Sequence, residues 1–181
     1  DIQYILNKSH QEYARFGTQT LRDLLSNLIV NRINYDNDHY MKILLDEAVE
    51  IVKSLSEVHL NYLSLIFLCK QTKMNGINSI ESLKEHCEYI CAKMPVTNGI
   101  ESSIPFLYML RLLTISLGSA ADVYSKRYNL DIDKVKEILP LAMNSIPGDY
   151  SLTPVGIIIA IINIRNKTNL NLEFKIWIKS I

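Results

Sequence analysis

The sequence predicts an all-α fold, an irregular bundle of about eight to nine helices, with a short C-terminal strand as an open alternative. Two observations carry this prediction. Apolar residues recur at helical spacing along most of the chain, and the breaks in that spacing coincide with residues such as Gly17 and Gly118. Two segments, Tyr62–Cys69 and Ile104–Leu117, are apolar on every side, which is typical of helices surrounded by other helices.

Composition is that of an ordinary globular domain. Apolar residues make up 48% of the 181 residues and charged residues 21%, which is unlike a disordered segment. This length fits one domain, so we predict that residues 1–181 form a single helical domain. Because residue 1 is aspartate rather than methionine, we expect the domain to be the C-terminal part of a longer protein.

Charge and cysteine content limit the partners. Lysine and arginine number 19, as do aspartate and glutamate, so no basic field attracts nucleic acid and we expect none as a partner. Three cysteines in apolar surroundings indicate reduced thiols and a cytoplasmic location. The segment Ser102–Ala121 approaches the roughly 20 residues of a membrane span. It contains Pro105 and Arg111, so we expect no stable membrane span.

Four helices with short connections are predicted in the first half of the chain. Their apolar stripes cover Ile2–Phe16, Leu21–Ile29, Met41–Leu55 and Tyr62–Cys69. Gly17 and the Asn34–Asn37 segment separate the first three. Ser54 and Glu57 have the spacing of a capping box, which predicts that the fourth helix begins there.

Five further helices are predicted in the second half. They cover Ile80–Met94, Ile104–Leu117, Ala120–Tyr128, Ile132–Leu139 and Pro154–Arg165. Asn78 with Glu81, Asp131, and Thr153 followed by Pro154 are the predicted N-terminal caps. Residues 172–181 alternate apolar and polar side chains, which favours either a lone edge strand or a frayed helix.

The sequence predicts neither a metal site nor a nucleophilic cysteine. His86, Cys87, Glu88 and Cys91 lie within two helical turns and include zinc-ligand types. Because both cysteines belong to the apolar stripe and no second ligand pair follows at zinc spacing, we predict structural cysteines and no metal. Cys69 lies inside an all-apolar helix, so we expect a raised thiol pKa rather than a nucleophile.

Catalytic motifs are missing from the sequence. It contains no glycine-rich phosphate loop, no nucleophile elbow and no metalloprotease helix, and its four histidines are scattered. Asp131 and Asp133 begin like a calcium loop, but the glycine and the final glutamate of that loop are missing. We therefore predict no catalytic, cofactor-binding or metal-binding residue.

Arg111 is the single residue that invites a functional hypothesis. A lone charge inside an apolar helix must extend its head to solvent, pair with a carboxylate or face a polar pocket. The favoured interpretation of Arg111 is a side chain that extends its head to solvent or forms a structural ion pair, and the alternative is a contact to an anionic ligand.

Three stretches resemble a family of functionally uncharacterised bacterial proteins. They are Gln11–Arg15 with Leu21–Arg32, then Leu55–Leu68, and finally Leu152–Gly156 with Ile176–Lys179. The resemblance implies a bacterial, cytoplasmic protein in which a short glycine- and asparagine-containing segment and a charged helical region precede this domain. It supplies no catalytic residues.

Three functional hypotheses follow. The favoured one is a non-enzymatic module that binds a protein partner or oligomerises, as a regulatory part of a longer protein. The second is a small-molecule receptor, or a helical enzyme of an unfamiliar type, that uses Arg111 to hold an anion. The third is a membrane-active effector in which Ile104–Leu117 and Val155–Ile164 insert into the bilayer.

Overall fold

Helices dominate the computed structural model, which describes residues 19–35, 37–116, 118–144, 146, 148 and 150–178. The helices are α1 (Gln19–Asn34), α2 (His39–Val52), α3 (Glu57–Gln71), α4 (Ile80–Lys93), α5 (Ile104–Met109), α6 (Ala120–Tyr128), α7 (Ile132–Ile138), α8 (Leu141–Asn144), α9 (Pro154–Lys167) and α10 (Phe174–Trp177). A 3-10 turn, Ile100–Ser103, precedes α5. The predicted all-α class is confirmed, and the helix predicted over residues 2–16 lies outside the described residues.

Two central helices form the middle of the core. Every residue of Asn61–Cys69 in α3 and of Val155–Ile164 in α9 is buried. α9 packs against α3 and also against α1 and α2. The all-round apolar sequence of Tyr62–Cys69 therefore predicted its place correctly, because a helix with no polar face needs neighbours on all sides.

A chain of buried amides joins the two central helices. The Asn163 side chain of α9 donates hydrogen bonds to Ser64 Oγ at 2.9 Å and to Asn61 Oδ1 at 3.3 Å. Asn61 Nδ2 in turn donates to the Pro95 carbonyl oxygen at 2.8 Å. Because a buried polar group is costly unless its partner is in place, these bonds fix how α3 and α9 lie against each other.

The caps of the later helices are confirmed, and two earlier ones are corrected. Asp131 and Thr153 cap α7 and α9 as predicted. The N-cap of α3 is Ser56 rather than Ser54, because the N–H of Ser54 still bonds to the last turn of α2.

The N-cap of α4 also differs from the prediction, here by one residue. Ser79 is the N-cap, and Ser82 takes the reciprocal role that Glu81 was predicted to fill with Asn78. Two short hydroxyl side chains here satisfy the free backbone N–H groups that a capping box normally serves with a carboxylate.

The prediction of a single helix over Ile104–Leu117 is wrong. α5 ends at Met109, a turn follows, and β1 (Leu113–Ile115) pairs antiparallel with β2 (Tyr150–Leu152). The apolar run after the turn, Leu112–Ile115, is too short to show whether its period is that of a helix or of a strand. Its partner strand therefore decides its conformation. The paired residues are Leu113 with Leu152, Thr114 with Ser151, and Ile115 with Tyr150.

In the described part of the C-terminal segment, Phe174–Trp177 form a short helix and no strand, so the alternative of a strand is wrong for these residues, and residues 179–181 lie outside the described part. α10 forms one turn that buries Phe174, and the Trp177 ring contacts the Phe67 ring edge-on at 5.1 Å. Arg165 of α9 lies over the Phe174 ring, 4.9 Å from its centre. Aromatic contacts with the core thus determine the conformation of a segment whose own sequence favours none strongly.

Candidate interaction surface

Arg111 lies in the turn that ends α5 and not inside a helix. Its backbone φ is +57°, in the left-handed region. The N–H of Leu112 bonds to the Leu107 carbonyl and the N–H of Arg111 to the Tyr108 carbonyl, which together make a Schellman motif with Arg111 at the C′ position. Glycine is the usual residue there, because a side chain in the left-handed region costs roughly 1–2 kcal/mol.

The N-terminus of α9 holds this turn in place from the protein side. Thr153 Oγ1 donates to the Arg111 carbonyl oxygen at 2.7 Å, and the Thr153 N–H donates to the Leu112 carbonyl oxygen at 3.1 Å. A Cβ atom at Gly156 would lie 2.5 Å from that Leu112 oxygen, so only glycine allows this approach. The turn is therefore rigidly supported, while the Arg111 side chain is exposed.

Exposed apolar side chains occur close to Arg111 in the sequence. Ile115, Met109 and Tyr108 expose 73%, 70% and 47% of their areas. Tyr150 lies opposite Ile115 in the sheet, and its ring contacts the Tyr108 ring at 5.9 Å, so these three residues are neighbours across the sheet. We call these four residues together with Arg111 the Arg111 surface.

The Arg111 side chain forms no ion pair with a described residue. The alternative of a structural ion pair therefore gains no support from the described part of the chain, and a contact to an anionic ligand stays a prediction. Three clefts lined by described residues have volumes of about 210, 510 and 330 Å³. Arg111 lines none of them.

Two other cations near the surface serve the fold. The Arg127 guanidinium donates to the carbonyl oxygens of Cys69 and Lys70 at the C-terminal end of α3. Lys70 Nζ donates to the carbonyl oxygens of Gly148 and Tyr150. The Arg127 contact places positive charge where α3 leaves carbonyl groups without helical partners, and the Lys70 contact joins α3 to the first residue of β2.

The cysteines are free thiols in apolar surroundings. Burial raises the pKa of Cys69 and of Cys87 to about 12 and that of Cys91 to about 11. The raised thiol pKa expected for Cys69 is confirmed. Among the described residues, including His86 and Glu88, no three histidine, cysteine or acidic side chains lie where they could hold a metal ion.

A histidine and serine pair that the sequence did not suggest occurs at the start of α3. His59 Nε2 lies 3.2 Å from Ser103 Oγ, and His59 Nδ1 accepts the backbone N–H of Ser56. Because Nδ1 accepts, the proton of the neutral ring is on Nε2, which donates to Ser103. The imidazole therefore cannot take the proton of Ser103 without losing the cap, and the pair is structural rather than nucleophilic.

The sequence pattern did not predict that the apolar residues of the Arg111 surface are exposed. A continuous helix over 104–117 placed Tyr108, Met109 and Ile115 on a buried element, where exposure was not expected. The available signal was the run Leu112–Ile115, which ends in two β-branched residues of high strand propensity.

Comparison with known proteins gives the family but no activity. A family model matches residues 1–144 and 130–178. The chain belongs to this family. The family is uncharacterised, which confirms the resemblance at that level and brings no site residues with it. The chain matches no curated protein and no solved structure.

Proposed function

We propose that the chain is a non-enzymatic module that binds a protein partner through the Arg111 surface. The observation that carries the proposal is the group of exposed tyrosine, methionine and isoleucine side chains on the segment that also carries the exposed Arg111, with Tyr108 and Ile115 both next to Tyr150. Tyrosine, methionine and arginine are enriched in protein interfaces, and tyrosine and arginine are also enriched among the residues that dominate the binding energy.

The rigid support of the surface also favours this function. Interfaces gain affinity when their contact groups are held in place before binding, because less conformational entropy is then lost. Thr153 and Gly156 provide that support under the Arg111 turn.

The alternative functions gain less support. Reactive side chains of the described residues have structural surroundings: His59 caps a helix and the cysteines have raised pKa values. Among the described residues, no helix has both the length and the apolar character needed to cross a membrane. The single-domain organisation, the place in a longer protein and the cytoplasmic location stay predictions.

The test is site-specific photo-crosslinking in cells of the source organism. A benzophenone amino acid replaces Met109 or Ile115 in the surface, and Ile43 or Leu141 as controls, which are also exposed apolar residues but lie on α2 and α8. We expect a discrete protein adduct from positions 109 and 115 alone. An adduct of twice the chain mass means that the partner is a second copy.

Two outcomes would contradict the proposal. One is the same adducts from the surface and the control positions, which would show nonspecific contact. The other is no adduct from either surface position together with a stoichiometric small molecule in native mass spectra, which would favour the receptor hypothesis.

A further inference from the structure

Resting on the proposed function, we infer that the partner contributes an extended peptide segment that adds to the outer edge of β1 and places a carboxylate on Arg111. The hydrogen-bond register of the sheet and the positive charge of Arg111 support this assignment.

The register shows which backbone groups of β1 face outward. The Thr153 N–H bonds to the Leu112 carbonyl, so these two residues form a hydrogen-bonded pair just before the strands. Such pairs alternate in an antiparallel ladder, so Thr114 and Ser151 form the next one. The N–H and C=O of Ile115 therefore point away from β2, and no hydrogen bond from a described residue reaches them.

The outer edge of β2 is closed by α3. The carbonyl of Tyr150 points outward by the same alternation, and Lys70 donates to it. Gln71 Nε2 donates to Ser151 Oγ at 3.2 Å on the same strand. As far as the described residues show, the edge of β1 at Ile115 is the exposed edge of this sheet, and an exposed edge is the usual acceptor of an added peptide strand.

The charge of Arg111 defines the chemistry of the added segment. Arg111 is exposed, precedes the first residue of β1 by two positions and forms no ion pair with a described carboxylate. A carboxylate is the group that a guanidinium binds in a bidentate manner. An extended segment that carries both apolar side chains and an aspartate or glutamate would thus contact Ile115 and Arg111 together.

A second copy of the chain fits this surface less well. Residues 104–116, which contain α5, the turn and β1, include no aspartate or glutamate. Two copies that paired through their β1 edges would therefore offer no carboxylate to either Arg111 from these residues. Charge complementarity favours a different protein.

The test is an NMR titration of the full 15N-labelled chain with two probe peptides, acetyl-Asp-Ser-Val-Thr-Val-Ser-amide and acetyl-Ser-Val-Thr-Val-Ser-Asp-amide. Each is compared with the same peptide carrying asparagine. We expect shifts of the Thr114 and Ile115 amide signals and about fivefold tighter binding of at least one aspartate peptide than of its counterpart. The substitution Arg111→Gly should remove this difference while the chain stays folded.

Ile115→Pro and Ile115→Ser separate the backbone from the side chain. Proline removes the outward N–H of residue 115 and leaves the Thr114 pairing with β2 intact, whereas serine keeps that N–H. We expect the proline variant to lose peptide binding and the serine variant to retain part of it.

The outcomes distinguish this inference from the proposed function. Absence of peptide shifts, or equal binding by both Ile115 variants, would overturn strand addition. Unchanged discrimination between aspartate and asparagine in Arg111→Gly would overturn the role of Arg111. If photo-crosslinking still captures a partner at positions 109 and 115, the proposed function survives either result.

Discussion

At the scale of single residues, Arg111 occupies a backbone position that usually belongs to glycine. A second helix end offers a comparison, since Asn129 ends α6 with a φ of +54° and the Leu130 N–H bonds to the Ser125 carbonyl. Asparagine tolerates the left-handed region, whereas arginine has no such compensation. A costly residue kept at a rigid, exposed turn is a reason to look for a function there.

Replacing Arg111 with glycine should stabilise the chain. The glycine relieves the left-handed strain but adds freedom to the unfolded state, so we expect a net gain of about 0.5–1 kcal/mol in the free energy of unfolding. Urea denaturation measures it. Asn129→Gly is the matched control and should change stability less, and a loss of stability in Arg111→Gly would show that the side chain supports the fold.

At the scale of elements, α10 depends on tertiary packing. One helical turn has too few internal hydrogen bonds to be stable by itself. Phe174 is 1% exposed and Ile176, in the same turn, is 65% exposed. Burial of the Phe174 side chain thus accounts for the position of α10.

The two side chains of α10 should therefore differ sharply when truncated. We expect Phe174→Ala to lower the free energy of unfolding by about 3–5 kcal/mol. Ile176→Ala should change it by no more than about 0.5 kcal/mol. Thermal and urea denaturation compare the two, and similar values for both would mean that α10 is not docked in solution.

The cap of α3 makes the stability of this element depend on pH. Burial lowers the pKa of His59 from its ordinary value of 6.5, and protonation would also replace the acceptor Nδ1 by a donor facing the Ser56 N–H. The unfolded chain then binds more protons than the folded chain below pH 6.5, so stability falls as the pH falls. His86, whose pKa burial also lowers, contributes in the same direction.

His59→Gln isolates this contribution. Glutamine at this position completes a serine and glutamine capping box and does not titrate. We expect the urea midpoint of the unsubstituted protein to fall more between pH 7.5 and pH 5.5 than that of the variant, in which His86 still titrates. Equal decreases would mean that His59 has the same pKa in the folded and unfolded chain.

At the scale of the whole molecule, the core encloses the thiols. Cys69 and Cys87 are completely buried, and Cys91 is partly exposed. Since the thiolate is the reacting species, burial and a raised pKa both slow modification.

The rate at which a thiol reagent modifies the buried cysteines should therefore measure unfolding of the whole core. At pH 8 we expect slow reaction of Cys91 alone in the folded protein and reaction of all three cysteines in guanidinium chloride. Cys91→Ser should leave a folded protein without rapid reaction, as followed by absorbance. Fast reaction of two or more thiols in native buffer would contradict the burial of Cys69 and Cys87.

The sequence by itself determined the helical class, the central position of Tyr62–Cys69, and the caps at Asp131 and Thr153. These features depend on local physics. A helix without a polar face must be enclosed, and a capping side chain bonds to backbone groups two or three residues away. The same periodicity gave α1, α2 and α4 and their buried faces.

Only the tertiary structure decided the end of α5, the pairing of β1 with β2, the conformation of α10 and the exposure of the Arg111 surface. In each case the segment is too short for its own pattern to select a conformation. The carbonyl of Leu112 and the backbone of Thr114 pair with residues about 40 positions away, at the start of α9 and across the sheet. Partners so distant in the sequence leave no periodic signal, so the segment that carries Arg111 follows its neighbours in space.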